Sequence, residues 1–139
     1  MILSFTGTRD GMTRKQMDIV KSILEDLGPS VVIHGDCIGA DAEFHRIVGD
    51  FNKPLRWKVV IKIYPSDVTS KRAYCDGGHI MPQMPPLERN VLIVKEGDRL
   101  IGCPKEMTSV LRSGTWSTIR KAKSLGKIVY IVLPNGEIR

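Results

Sequence analysis

Three short apolar runs in this chain lead to glycine-bearing turns that open helical patterns, and this recurrence restricts the fold more than any other feature. Ile2 to Thr6 is apolar and β-prone and ends at Gly7-Thr8-Arg9-Asp10-Gly11. Val31 to His34 ends at Gly35-Asp36-Cys37-Ile38-Gly39. Leu100 to Pro104 leads, across a polar connection, to Arg112-Ser113-Gly114-Thr115. Strands alternating with helices predict an α/β Rossmann-like fold, a doubly wound, mostly parallel sheet of about five strands flanked by helices. All three turns then fall at the carboxyl edge of the sheet, where ligands bind near the switch in strand order.

The intervening segments fit this scheme. Thr13-Arg14-Lys15-Gln16 reads as a capping box, and Met17, Val20, Ile23, Leu24 and Leu27 follow at helical spacing up to Gly28-Pro29. Ala40 to Phe51 is a second amphipathic helix, broken by Asn52-Lys53-Pro54. Trp57 to Tyr64 alternates and is β-branched, so it reads as a third strand. Ser66 to Pro86 has no period; such a stretch is a lid, a binding loop or an element that sequence does not reveal. Leu87 to Val94 fits a helix or a strand, and the helix is favoured because Asp98 to Cys103 supplies the next strand. Trp116 to Leu125 is a helix with Ile119, Ala122 and Leu125 inward and Gly126 as its stop. Lys127 to Leu133 is the last strand. Residues 1–139 read as one domain without repeat or linker.

Composition narrows the function classes. The apolar runs are too short to span a membrane, and Met1 to Phe5 reads as a strand rather than a signal sequence. Three cysteines without CxxC spacing suit reduced thiols in the cytoplasm, not a disulfide framework or a zinc site. The net charge of +6 fits a polyanionic ligand as well as an ordinary basic surface.

The ordered set Gly7-Thr8-Arg9, His34-Gly35-Asp36 with Gly39-Ala40-Asp41, Leu87-Glu88-Arg89-Asn90 and Ser113-Gly114-Thr115 resembles the SLOG superfamily. These are Rossmann-like nucleotide-binding proteins that include the DNA-processing protein DprA and the cytokinin-activating LOG enzymes. The likeness is nearest to the small YspA-like branch and covers nearly the whole chain. It implies a nucleotide-type ligand at the strand ends and, often, a homo-oligomer, a dimer or higher, in which a second subunit completes the pocket with loop 66–86. LOG enzymes cleave the N-glycosidic bond of a nucleoside monophosphate with a PGGxGTxxE turn and an Arg from the preceding helix. Arg89 matches that Arg and Gly114-Thr115 match the Gly-Thr pair. Thr118 stands where the motif carries its catalytic Glu. A threonine cannot activate water at neutral pH, so LOG chemistry would require Asp36, Asp41 or Glu88 in its place.

The candidate ligand-binding residues follow. Gly7 allows close backbone approach, Thr8 offers a hydroxyl and Arg9 a fork for phosphate. Gly35, Gly39 and Ala40 shape the second turn, and Asp36 or Asp41 accepts ribose hydroxyls, unless Asp41 merely neutralises its helix N-terminus. Arg89 is a phosphate ligand by the resemblance. Ser113, Gly114 and Thr115 open a helix whose free N–H groups suit an anion, and Trp116 is placed to stack on a base or to pack in the core. Metal binding by His34, Asp36, Asp41 and His45 is disfavoured, because His45 reads as a surface position. Cys37 reads as a small thiol rather than a nucleophile. Arg120, Lys121, Lys123 and Lys127 form a basic patch that reads as a solvated face.

The reading that results is a cytoplasmic protein that binds a nucleotide or nucleotide-derived signal, such as a cyclic nucleotide or an ADP-ribose type compound, as a sensor or sequestering protein. No cofactor, metal or membrane is expected, and nucleic acid is not the favoured partner. The alternatives are a nucleotide N-glycosidase of LOG type and a DprA-like single-stranded nucleic-acid binder. A small domain of this kind suits a bacterium or a phage equally.

Overall fold

The computed structural model describes residues 1–53 and 57–139. Among the described residues, six strands and four α-helices follow in order: β1 Ile2–Gly7, α1 Arg14–Leu27, β2 Val31–His34, α2 Ala40–Asn52, β3 Val60–Ile63, β4 His79–Ile80, α3 Pro86–Glu96, β5 Arg99–Cys103, α4 Gly114–Ser124 and β6 Ile128–Ile131. They form one sheet in the order β4-β3-β2-β1-β5-β6, and every pair is parallel. The chain adds strands outward from β1 to β4 and then returns to the other side of β1. The switch in strand order therefore lies between β1 and β5, the place where a doubly wound sheet opens a crevice.

Alternation along the strands builds a core on each face. Leu3 and Phe5 of β1 join Val20, Ile23 and Leu24 of α1 and Phe44, Ile47 and Val48 of α2. Phe5 stacks on Phe44 with ring centroids 4.2 Å apart. On the other face Leu100 of β5 packs with Val94 of α3 and with Trp116, Ile119 and Ala122 of α4. Ser4, facing this side between Leu3 and Phe5, is fully buried and donates its hydroxyl to the Ile93 carbonyl.

The helix ends are where local chemistry places them. Thr13 and Gln16 form the capping box of α1. The Gln16 amide also donates to the carbonyls of Pro104 at 2.8 Å and Val132 at 2.9 Å, which pins the start of α1 to the sheet. Ser113 caps α4 through the Trp116 N–H, so this helix begins two residues before the apolar period does. Gly126 takes the left-handed conformation, φ 73°, just past its end. Leu125, expected inward, is at the cap and 40% exposed.

Two further expectations need correction. The third strand begins at Val60, not Trp57, because the Asn52 side chain occupies both the N–H and the carbonyl of Val59. Pro54, expected to break α2, lies outside the described residues. Loop 66–86 is not structureless: Thr69–Lys71 is a 3-10 turn, and β4 pairs Lys62 with His79 and Ile63 with Ile80. The sheet thus has six strands rather than five. Two residues are too few to carry a period, so this pairing is a product of tertiary packing.

Candidate functional site

A cleft of about 620 Å³ opens at the carboxyl ends of β1, β2 and β5. Gly7, Thr8, Arg9, Gly35, Asp41, Arg89, Ser113, Gly114 and Thr115 all line it. The cleft also takes in Asn90 and three groups from irregular segments, Ser66 and Lys71 of the loop after β3 and Lys105 after β5. No sequence period marks those three. The chain's own loop 66–86 contributes to this wall through Ser66 and Lys71.

The glycines serve packing between turns before they serve a ligand. A Cβ on Gly7 would stand 2.5 Å from the Ala40 Cβ, and one on Gly35 would stand 2.6 Å from Arg89. Gly39 has φ 92°, and a Cβ there would lie 2.3 Å from the Arg9 carbonyl oxygen. The Ala40 N–H donates to the Thr8 carbonyl, locking the first two turns together. Gly39 and Ala40 are therefore the joint behind the cleft and not part of its lining. Gly114 differs: its Cβ position meets nothing within 4 Å, and its φ is not positive.

Asp36 also turns away. It sits at φ 58° and is 1% exposed. Its carboxylate accepts from Arg72 Nε at 3.0 Å and from the Cys75 N–H at 2.9 Å. Burial works to raise this carboxyl, but the Cys75 N–H and the Arg72 guanidinium outweigh it and hold the group below the usual range. Asp36 is an anchor for loop 66–86, not an acceptor in the cleft. Trp116 is 6% exposed, packs beside Ile119 and donates its indole N–H to Glu106, so no ring face is offered to a base. Glu88 is exposed on α3 outside the cleft. Thr118 donates its hydroxyl back to the Gly114 carbonyl at 2.9 Å.

Arg89 is 6% exposed and engaged by protein rather than left free for phosphate. One NH group donates to the carbonyl of Gly35 at 2.7 Å and to that of Tyr64 at 3.3 Å, and Nε donates to Asn90. The other terminal nitrogen lies 3.6 Å from the Cys37 sulfur. Arg89 thus braces the second turn from below. By contrast Arg9 and Arg112 are exposed and Lys71 is half-buried at the cleft, and none of the three has an ion-pair partner among the described residues. Lys105 is paired with Asp10 at 2.8 Å.

Burial, reinforced by Asp41, pushes the Cys37 thiol up to about 11, so it is protonated and a poor nucleophile at neutral pH. His34, His45 and Cys75 have ligand atoms within 4.8 Å of one another. His45, expected on the surface, is half-buried. His34 Nδ1 accepts the Asp36 N–H at 2.9 Å, so its proton resides on Nε2 and points at His45 Nδ1, 2.9 Å away. His45 then donates from Nε2 to the Asp76 carbonyl. This chain of bonds leaves His34 no lone pair for a metal. In the basic patch, Arg120 staples Ser109, Val110 and Leu111, and Lys127 bonds the carbonyls of Lys95 and Gly97.

Two buried groups set an opposed pH dependence. Burial, aided by His45, pushes the His34 imidazole from 6.5 down to about 3. The unfolded chain binds a proton in that window that the folded chain refuses, so this contribution to stability is lost as pH falls from 6.5 towards 3. Burial pushes the Asp41 carboxyl from 3.8 up to about 6. Here the folded chain holds the extra proton, so stability is lost as pH rises from 3.8 through 6. Between pH 4 and 6 the two slopes cancel. Asp41→Asn is expected to remove one of them and make urea stability rise with pH by roughly 1.4 kcal/mol per unit more than in the native protein. Profiles that run parallel from pH 4 to 6 would contradict this.

Comparison with known proteins adds the fold and little more. No protein-family model matches the chain, and no curated protein matches it. Among solved structures, the molybdenum cofactor binding protein from the phototrophic bacterium Rippkaea orientalis superposes with a TM-score of 0.69 at 16% identity. The match covers 95% of this chain and 76% of that one.

Proposed function

We propose that the cleft binds a nucleotide or nucleotide-derived signal, with a phosphate on the N-terminus of α4, and that the protein is a sensor or sequestering protein of SLOG type. The observation that carries this reading is Thr115. It is 8% exposed, it lines the cleft, and its hydroxyl makes no hydrogen bond among the described residues. Beside it the N–H groups of Gly114 and Thr115 lie in the first turn of α4, where no helical acceptor exists, and the helix dipole adds positive potential. The empty space over Gly114 leaves room for the anion, and Arg9, Lys71 and Arg112 add charge around it. That a protein of similar fold binds the molybdenum cofactor supports the idea that such a cleft retains a small molecule, and that cofactor belongs among the ligands tried.

Calorimetric titration with mono-, di- and cyclic nucleotides and ADP-ribose tests the proposal. Binding by none of them to the folded protein would end it. Gly114→Asp separates binding from folding. An acidic residue in the first turn of a helix leaves stability unchanged or raises it by about 0.5 kcal/mol. The same charge would repel a phosphate and weaken binding by more than about 100-fold.

One observation favours catalysis as a second reading. Of the three carboxylates considered, only Asp41 lines the cleft, and its value of about 6 suits an acid–base group. Release of free base from a nucleoside monophosphate, followed by chromatography and lost in Asp41→Asn, would identify an N-glycosidase.

A further inference from the structure

Asp41 has one oxygen more than the fold requires. Its residue is 5% exposed, and Oδ2 alone accepts the N–H groups of Gly35 at 3.2 Å and Cys37 at 3.1 Å. No nitrogen or oxygen donor among the described residues reaches Oδ1, the Cys37 thiol being the polar group beside the carboxyl, and no side-chain nitrogen or oxygen there is both fully buried and unpartnered. Oδ1 therefore opens to the cleft that Asp41 lines. Arg89 accounts for the charge, but Oδ1 remains an acceptor at the cleft surface that the fold leaves for a donor from outside.

The surroundings define that partner. Arg89 of α3 and the thiols of Cys37, Cys75 and Cys103 are the ionisable groups around Asp41, and the guanidinium compensates its charge. The floor of the cleft is thus nearly neutral, while the unpaired cations Arg9 and Arg112 stand exposed at its rim. Asp41 opens the helix after β2 and Thr115 the helix after β5, and β1 lies between those strands, so the two groups enter the cleft from opposite sides of β1.

We propose that Asp41 is the specificity-determining residue of the cleft: Oδ1 accepts a hydrogen bond from a neutral donor on the ligand, a sugar hydroxyl or an exocyclic amine, and bars a phosphate from that position. The proposal rests on the nucleotide reading above and orients the ligand, with the phosphate on α4 and the donor at the end of β2. A phosphate beside an ionised Asp41 meets a like charge, whereas a hydroxyl or amine meets a strong acceptor.

The test is calorimetric titration of native protein with adenosine 5′-diphosphate, its 2′,3′-dideoxy analogue and inosine 5′-diphosphate. The dideoxy compound lacks the hydroxyls and the inosine compound lacks the amine. One of the two is expected to bind about 10- to 100-fold more weakly than the parent, the identity of the weak one naming the donor. In Asp41→Asn, checked for folding by its melting transition, that gap is expected to close to within about 3-fold. Both analogues binding native protein as tightly as the parent would overturn the proposal while leaving the nucleotide reading intact. Absence of binding by the parent would overturn the proposal, and the nucleotide reading would fall with it only if none of the nucleotides tried above binds either. Because the comparison is made on native protein, the outcome does not depend on the variant folding.

Discussion

Gly39→Ala is expected to destabilise the protein by about 3–5 kcal/mol, and Gly114→Ala, in another glycine-bearing turn, to change stability by less than about 0.5 kcal/mol. The contrast follows from position. Gly39 has φ 92° and ψ −125°, a region that residues with a Cβ enter only under strain. A Cβ there would also press on the Arg9 carbonyl oxygen from 2.3 Å, and since a Cβ is fixed to its own backbone and the oxygen is backbone, neither can rotate away. Relief would have to move Thr8 and Arg9, both of which line the cleft, so any Gly39→Ala protein that still folds should bind ligand poorly. Gly114 has neither constraint. Urea unfolding of both variants checks the pair; equal losses would show that the packing between the first two turns is not what Gly39 supplies.

Arg72→Ala is the second large effect, with an expected loss of about 3 kcal/mol. The pair it breaks is buried on both sides, with side-chain exposures of 9% for Arg72 and 1% for Asp36. Removing the guanidinium leaves an ionised carboxylate with only the Cys75 N–H to compensate it, and it also removes the cation lying 4.3 Å from the Tyr74 ring centroid. Asp36 binds the far segment at three points, since its carbonyl also accepts the Ala73 N–H at 2.7 Å. The loss should therefore be local as well as global. Amide hydrogen exchange is expected to speed up in residues 66–80 before the sheet is affected. A protein that keeps native exchange in that segment would show that Asp36 is not its anchor.

The fold was legible because its signals are local. A capping box, a run of apolar residues at helical spacing and the glycine turns after the first two strands are each contained within a few residues. The edge on which the turns gather follows from alternation alone. The site was legible in outline for the same reason, and the misreadings share a cause. Asp36 looked like a ligand because its partners, Arg72 and Cys75, come from a segment without a period, more than thirty residues away. Arg89 looked like a phosphate ligand because sequence does not show that the carbonyls of Gly35 and Tyr64 converge on it. Trp116 could have been placed correctly, since it shares with Ile119 and Ala122 the three-residue spacing of a buried helical stripe. The cations Lys71 and Lys105 had no signal, because tertiary packing alone brings them to the cleft.

On the proposed SLOG-type reading, Thr118 stands at the place of the glutamate in the LOG motif, and its hydroxyl is bonded within its own helix. The Gly-Thr turn that opens α4 therefore retains its free N–H groups and loses the carboxylate that would act on what they hold. The proposed reading is therefore binding without cleavage, and Asp41 is the group through which it would fail.

The most direct measurement is a titration of isotopically labelled protein with the tightest-binding nucleotide, read through its backbone amide resonances. The account predicts the largest shifts at Ser113, Gly114 and Thr115, smaller ones at Thr8 and Gly35, and none at the shallow groove that contains His45 and His79. Shifts centred on that groove, or none at the first turn of α4, would contradict it.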